Sequence, residues 1–207
     1  MEMIQSIDII NGKRRITFES GWQVWLKKDL ALPFPPVKET SVNRADFEQF
    51  IRLHQYPSAL DKAVSMLAVR ARSKKEIEEK LRIAHFDPEV ISLVIYKLEK
   101  ENLLNDAEFS KQWVQSRMKK YGPARISREL QMKGLDRDTA ASALDICREE
   151  DQLSSAVALA EKKLRASDRE TDQRILFRRV VEMLIRRGFS WETAKKAFEK
   201  AAEDGKS

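Results

Sequence analysis

The stretch RMKKYGPARISRELQMKGL, residues 117–135, decides how this chain is organised. It has the apolar spacing of one basic amphipathic helix, yet Gly122-Pro123 interrupts it near the start. The whole chain of 207 residues contains only 6 glycines and 6 prolines, so this pair indicates a real end of a helix. Proline has a fixed φ and no amide hydrogen, and both properties suit the first position of a helix. We therefore predict that Gly122 ends one helix and that Pro123 begins the next.

A similar boundary between two helices recurs along the chain. Gly134-Leu135-Asp136 follows the interrupted stretch, Gly188-Phe189-Ser190 has the same place near the C-terminus, and His85-Phe86-Asp87 has it earlier. Glycine adopts the left-handed conformation that ends a helix, the apolar residue packs back on that helix, and Asp or Ser caps the next one. His85 stands where a glycine is expected.

The recurrence has a period of about 50 residues and predicts a mainly α protein of tandem three-helix repeats. We place the repeats at residues 57–104, 105–152 and 153–207. Apolar residues at helical spacing, such as Ile126 and Leu130, form the predicted core of each repeat. The residues predicted to form the junctions between helices are Gly122, Pro123, Gly134, Asp136, Gly188, Ser190 and Asp87.

Residues 1–56 follow a different pattern. Asn11-Gly12 is a strong signal for a two-residue β-hairpin turn, and alternating apolar residues around it predict two or three short antiparallel strands. This small β-hairpin segment has two possible tasks. It covers the apolar end of the first repeat, or it contacts a partner through Trp22 or Trp25.

The chain between the strands and the first repeat has two predicted parts. The proline-rich stretch LPFPPVKETS predicts a linker, and Asn43 is positioned to cap a lead-in helix that ends before Pro57. Ser58 and Asp61 then resemble a capping box in which Asp replaces Glu, so we predict that a new helix begins there.

Composition excludes several classes of protein. The single cysteine, Cys147, cannot form a disulfide framework or a metal cluster, which indicates a reducing compartment, so we expect a cytoplasmic protein. The N-terminus lacks the pattern of a signal peptide, and no apolar run is long enough to span a membrane. No catalytic constellation, metal-ligand spacing or glycine-rich phosphate loop is present, so we expect neither an enzyme nor a bound cofactor or metal.

Basic residues are concentrated around the Gly-Pro break. Between Lys111 and Lys133 there are seven basic residues and one acid, Glu129. A net charge of +6 and a sequence pI near 9.4 also fit a polyanionic partner. We therefore propose a phosphate-contacting patch, with a solvated helix surface as the alternative. Its four central members are Arg117, Lys120, Arg125 and Arg128, taken as two pairs on the helices before and after the break.

Further residues complete the candidate contact surface. Arg178, Arg179, Arg186 and Arg187 are opposed by Glu182 alone and form a second candidate patch. Lys133 lies four residues after Glu129, the favourable order for an ion pair. For Tyr121 we favour a structural role at the helix junction over stacking on a base. The complete candidate set is Arg117, Lys119, Lys120, Tyr121, Arg125, Arg128, Lys133, Arg178, Arg179, Arg186 and Arg187.

The motifs together resemble one family. The second repeat carries Tyr121-Gly122-Pro123, Ile126, Glu129-Leu130 and Lys133-Gly134-Leu135 in one frame, and the first repeat carries AVSMLAVRARSKKEIEEKL. This combination resembles the RecX family, bacterial modulators of the recombinase RecA, over about residues 59–200.

The resemblance implies a fold and a function. The expected fold is a curved, elongated array of three three-helix repeats. The expected role is non-enzymatic: binding in the groove of the RecA–single-stranded DNA filament, which limits its growth, ATP hydrolysis and strand exchange. The expected partners are therefore the RecA filament and single-stranded DNA, with non-specific duplex DNA in addition, and we expect a monomer.

Two other functions fit the same residues. A three-helix unit resembles a helix-turn-helix module in size, and Arg125, Arg128 and Gln131 could face base edges in a DNA-binding regulator. Alternatively, a purely protein-binding helical scaffold would use its charged surface on an acidic partner.

Overall fold

The chain divides into two compact units, Met1–Asn105 and Asp106–Ser207, of which the computed structural model describes residues 1–167 and 172–204. Four strands come first: β1 (Glu2–Ile10), β2 (Lys13–Phe18), β3 (Gln23–Lys27) and β4 (Ser41–Val42). The helices of the described ranges follow: α1 (Arg44–Val69), α2 (Lys74–Ile83), α3 (Pro88–Lys100), α4 (Asp106–Arg117), α5 (Pro123–Met132), α6 (Arg137–Leu144), α7 (Glu149–Arg165), α8 (Gln173–Arg186) and α9 (Trp191–Asp204).

This order confirms a mainly helical fold of three-helix repeats after a small strand segment. The helices form the sets α1–α3, α4–α6 and α7–α9. Residues 168–171 and 205–207 of the predicted third repeat lie outside the described part. No helix in that described part has the length and apolar character needed to cross a bilayer.

The strands form one antiparallel sheet in the order β3-β2-β1-β4. Asn11 and Gly12 have φ values of 51° and 74°, so the two-residue turn that the sequence predicted is present between β1 and β2. The fourth strand was not predicted. Val42 pairs with Glu2 just after the proline-rich linker, a long-range pairing that local spacing does not indicate.

The lead-in helix and the first helix of repeat one are a single helix, α1. Asn43 caps it as predicted, accepting the amide of Ala45 at 3.0 Å. The predicted end before Pro57 is wrong, and Ser58 lies inside α1 instead of capping a new helix with Asp61. Proline removes one helical hydrogen bond, but buried residues on both sides of it pack into one core, which favours an unbroken helix. These residues are Phe47, Ile51, Ala59 and Ala63.

The sheet belongs to the core of the first repeat. Gln55 on α1 donates to the Trp25 carbonyl at 2.8 Å and accepts the amide of Asp87 at 2.7 Å. The Trp25 ring stacks on His85 at 4.1 Å, and His85 takes the left-handed conformation (φ 62°) expected of a glycine there. The sequence left two possible tasks for the strands, and the structure shows that they cover the first repeat.

The second unit contains separate cores for repeats two and three. The core of repeat two contains Phe109, Val114, Ile126 and Leu130, and the last two are fully buried as predicted. The core of repeat three is formed by a group of buried residues from α7, α8, the turn after α8, and α9: Ala156, Ala160, Val180, Val181, Leu184, Phe189, Ala194, Ala197, Phe198 and Ala201.

Most predicted junction residues have the expected geometry. Gly134 and Gly188 are left-handed, with φ values of 90° and 89°. Asp87 caps α3, Asp136 caps α6, and the Ser190 hydroxyl accepts the amide of Thr193 at 3.0 Å.

Gly122 differs from its prediction. Helix α4 ends at Arg117, a turn follows, and Gly122 is the N-cap of α5 with Pro123 at the first helical position. Its φ of −79° is open to any residue, so a conformational need does not explain this glycine.

Candidate nucleic-acid interface

Gly122 is needed for a close contact between repeats two and three. Its amide donates to the carbonyl of Arg187 at 2.9 Å, and the amide of Ala124 donates to the carbonyl of Gly188 at 3.2 Å. A Cβ atom on Gly122 would lie 2.3 Å from the carbonyl carbon of Gly188, far inside van der Waals contact. The start of α5 therefore packs directly on the turn that follows α8.

This contact brings predicted cations from two repeats to one surface depression, which we call the basic groove. It has a volume of about 650 Å³, and Leu159, Ala166 and Met183 supply its apolar part. Within residues 1–167 and 172–204, its lining includes six cations and one carboxylate. The charged lining residues are Lys120, Lys162, Lys163, Arg179, Arg186, Arg187 and Glu182.

Helical spacing explains how the groove is formed. Arg179, Glu182 and Arg186 are three and four residues apart on α8, so they follow one face of that helix. Leu159 and Lys162 on α7, with Ala166 at its C-cap, have the same spacing. Lys120 comes from the turn before α5, and the Arg187 Nη1 donates to its carbonyl at 3.4 Å.

The one carboxylate of the groove is shared. Glu182 accepts the Arg178 Nε at 2.9 Å on one oxygen, and the Arg186 Nη1 lies 3.9 Å from the other. The hydrogen bond from Arg178 lowers the pKa of Glu182, which stays ionised. Among the lining residues that the structure describes, six are cationic and one is a carboxylate, so this part of the groove has an excess of positive charge.

A second group of predicted residues forms what we call the Glu129 cluster: Trp113, Arg117, Tyr121, Arg125 and Glu129. The carboxylate of Glu129 lies 3.3 Å from the Nε of both arginines and accepts the indole N–H of Trp113 at 3.2 Å. The Arg117 guanidinium lies 4.5 Å from the Trp113 ring centre, and that of Arg125 lies 4.0 Å from Tyr121. Both arginines of this predicted patch therefore have internal partners.

The other candidates of the first patch occupy different surroundings. Lys119 and Lys120 are exposed in the turn after α4, so the predicted sharing of a helix face by Arg117 and Lys120 is wrong. Arg128 is exposed on α5. The Lys133 ammonium lies 4.2 Å from the Trp113 ring centre.

Tyr121 is half-buried and packs on the core of repeat two, which agrees with the favoured structural role. In the second patch, Arg178 pairs with Glu182 and lies outside the lining of the basic groove. The structure thus unites Lys120, Arg179, Arg186 and Arg187 in the lining of one groove, and Arg117 and Arg125 are not among its lining residues.

Sequence reasoning missed Lys162 and Lys163. The signal was present, because the one acid beside them, Glu161, has Arg165 as an i,i+4 partner, with Arg165 Nη2 3.2 Å from a Glu161 oxygen. Their direction toward α8 depends on tertiary packing, which local spacing does not give.

Other chemistry finds little support in the structure. Among residues 1–167 and 172–204, no group of three or more His, Cys, Asp or Glu side chains is placed to hold a metal ion. Burial raises the pKa of the Cys147 thiol, which disfavours the nucleophilic thiolate.

Three family models match the three repeats. A model described as RecX, first three-helix domain, matches residues 59–98. The corresponding second domain matches residues 105–144, and the third matches residues 149–198.

Curated proteins and solved structures give the same result. Regulatory protein RecX of Corynebacterium efficiens is 36% identical over 153 residues, which cover 69% of this chain and 73% of that protein. Regulatory protein RecX of Listeria monocytogenes is 30% identical over 170 residues, covering 81% of this chain and 63% of that protein. The crystal structure of RecX from Lactobacillus salivarius has a TM-score of 0.65 at 27% identity, over 72% of this chain and 97% of that one. A further RecX crystal structure, 20% identical with a TM-score of 0.65 over 98% of this chain and 100% of that one, shows the same fold.

Proposed function

Because this chain belongs to the RecX family, we propose that it regulates the recombinase RecA by binding the filament that RecA forms on single-stranded DNA. In this proposal the bound protein limits filament extension, ATP hydrolysis and strand exchange. The relatives described above are named regulatory proteins, which is consistent with a role without catalysis.

The basic groove is the observation that supports this proposal. Phosphates are bound by lysine and arginine through charge-assisted hydrogen bonds, and their binding releases counterions. The groove offers six such side chains with apolar surface between them. That mixture suits a single strand of DNA, because its phosphates can pair with the cations while its sugars and base faces contact the apolar surface.

The cations come from more than one helix, which suits an extended ligand. Lys162 and Lys163 extend from α7, whereas Arg179 and Arg186 extend from α8. A strand held between them lies on repeat three, and Lys120, in the turn before α5, extends the groove to the side of repeat two. We propose that this placement blocks addition of the next recombinase subunit, because that subunit and the bound protein compete for the same length of DNA.

The helix-turn-helix alternative is less well supported. It needs Arg125 to reach a base edge from α5, but Glu129 and Tyr121 already contact its guanidinium. Arg128 and Gln131 remain exposed on the same helix. An operator binder would also prefer one duplex sequence strongly, whereas we expect this chain to show little preference.

ATP hydrolysis by RecA on single-stranded DNA tests the proposal. The purified chain, added to preformed filaments, should lower the hydrolysis rate at less than one molecule per RecA. One bound molecule that blocks a filament end prevents the addition of many RecA subunits there. A purely protein-binding scaffold would instead bind RecA without DNA and have no affinity for DNA alone. Unchanged hydrolysis and strand exchange at equal stoichiometry would contradict the proposed function.

A further inference from the structure

The first unit carries a groove of different character between α1 and α3. We call it the α1–α3 groove; its volume is about 610 Å³. Leu53 is 70% exposed, Tyr96 is 63% exposed and Leu93 is 43% exposed. Large apolar side chains grouped around one exposed depression are typical of an interaction site. The lining residues are Gln49, Arg52, Leu53, Tyr56, Pro57, Leu93, Tyr96, Lys97 and Lys100.

The apolar surface continues along α1. Gln49 and Leu53 also line a neighbouring depression, of about 470 Å³, together with Phe34 and Phe50. Leu53 therefore stands between two adjoining apolar hollows, which together form a longer track on this side of α1.

Pro57 gives this track an additional polar feature. A proline inside a helix has no amide hydrogen to donate to the carbonyl four residues earlier. In α1 that carbonyl belongs to Leu53, so it has no i+4 donor within its helix. The most exposed leucine of the groove thus has a carbonyl that lacks its usual helical donor.

The spacing of the lining residues indicates the shape of the ligand. Gln49, Leu53 and Tyr56 follow one stripe of α1 at intervals of four and three residues, and Leu93, Tyr96 and Lys100 follow one stripe of α3. Two such stripes that border a depression form the surface into which a third helix packs with its own ridge of side chains.

The charges of the groove indicate the composition of that helix. Arg52, Lys97 and Lys100 are among its lining residues, and no carboxylate is. We propose that the α1–α3 groove binds an amphipathic helix of a partner protein, with an apolar stripe bordered by carboxylates. This inference does not rest on the function proposed for the basic groove, because the two grooves share no residue.

A nucleic acid suits this surface less well. Arg52 Nη1 lies 2.6 Å from a Glu89 oxygen and Lys97 Nζ lies 2.7 Å from a Glu101 oxygen, so both cations share their charge with a carboxylate outside the lining. The modest positive charge that results can orient the border of a helix, but it gives little attraction for a run of phosphates.

The groove contains the rings of Tyr56 and Tyr96, but it also contains the aliphatic Leu53, Pro57 and Leu93, and this mixture suits the apolar side chains of a helix better than a row of stacked bases. A helix that gains affinity by burying apolar area needs only a few border charges for orientation.

A synthetic peptide provides the test. We would label a helical peptide of about 14 residues, long enough to cover the groove, with leucines on one stripe and glutamates on both borders. Fluorescence anisotropy with the full chain should show binding at least about tenfold tighter than for an analogue with lysine in place of every glutamate. An analogue with serine in place of leucine, and an oligo(dT) strand, should bind still more weakly at this site.

Matched variants locate the site. Leu53→Glu should weaken peptide binding at least about tenfold, whereas Ile83→Glu, an exposed aliphatic residue outside the groove, should leave it unchanged. Equal binding of the glutamate and lysine peptides, or peptide binding that survives Leu53→Glu, would overturn the inference. Oligo(dT) binding that Leu53→Glu abolishes would also overturn it. Lys163→Ala with Arg186→Ala should leave peptide binding intact even if the proposal for the basic groove fails.

Discussion

The backbone of Gly122 lies directly against the backbone of Gly188, and this contact joins the second repeat to the third. Two hydrogen bonds from the start of α5 stabilise this contact: the Gly122 amide donates to the Arg187 carbonyl, and the Ala124 amide donates to the Gly188 carbonyl. The contact is tight in both directions, because a Cβ atom on Gly188 would lie 2.5 Å from the amide nitrogen of Arg125. The Gly-Pro break of residues 117–135 is thus the joint on which the basic groove depends.

Gly122→Ala should disrupt this joint. Its added Cβ would overlap the Gly188 backbone, so we expect the second unit to lose about 1–3 kcal/mol of unfolding free energy. Hydrogen exchange should show faster exchange of the Ala124 amide, which donates to Gly188. Gly21→Ala is the control: open space surrounds Gly21 but its φ is +84°, so only about 1 kcal/mol of backbone strain is added. A protected Ala124 amide in Gly122→Ala would refute the close-contact explanation.

Glu129→Gln should destabilise the second unit more than the same change at Glu182. Glu129 is 15% exposed and serves Arg117, Arg125 and Trp113, so loss of its charge should cost about 1–3 kcal/mol. Glu182 pairs with Arg178 at an exposed position, where an ion pair contributes little. Urea unfolding of both variants measures the difference. Equal urea unfolding midpoints for the two variants would contradict a stabilising role of the Glu129 cluster.

We expect Arg125 to stabilise the fold and Arg128 to contact the ligand. We expect Arg125→Ala to lower the unfolding free energy by about 1–2 kcal/mol, because it contacts Glu129 and Tyr121. Arg128→Ala, at an exposed position, should leave stability unchanged. If Arg128 contacts phosphate, its loss should reduce the slope of log K for single-strand binding against log salt concentration by about 0.7 per contact. The reverse assignment of the two effects would contradict this division.

The two aspartate caps should titrate on opposite sides of the ordinary aspartate pKa. The Thr139 amide and hydroxyl lower the pKa of Asp136, whereas burial raises the pKa of Asp87. The Asp136 contribution to stability is therefore present above the unfolded-chain pKa and is lost as pH falls through the folded value. The Asp87 contribution is present below the unfolded-chain pKa and is lost as pH rises through the folded value. Carbon-13 NMR titration of both carboxyl groups checks the order, and Asp136→Asn identifies the lower signal. A lower pKa for Asp87 than for Asp136 would be the contrary result.

Local rules predicted the repeats, the caps and much of the core. Capping residues such as Asn43 and Asp136, and buried stripes such as Ile126 with Leu130, depend on contacts within a few residues. Spacing is sufficient for these features, because a helix places i and i+4 side by side whatever surrounds it.

The errors concern contacts between distant parts of the chain. The pairing of Glu2 with Val42 and the contact of Gly122 with Gly188 join residues that no local pattern relates. Pro57 remained inside α1 because the core on both sides of it outweighed one lost hydrogen bond. For Glu129, the i,i+4 rule indicated Lys133, but it gave no sign of Arg117, which approaches from the preceding helix. The basic groove required the same long-range information, which explains why Lys162 and Lys163 were missed.

The most direct measurement of the central claim is the rate of ATP hydrolysis by preformed RecA filaments at increasing concentrations of three proteins. These are the unaltered chain, Lys163→Ala with Arg186→Ala in the basic groove, and Arg174→Ala with Lys196→Ala as a control. The control removes the same residue types from exposed positions outside the groove. We predict that the groove variant needs about tenfold more protein for half inhibition, equivalent to about 1.4 kcal/mol, while the control acts like the unaltered chain. Equal inhibition by all three proteins would contradict a role for the basic groove in regulating the filament.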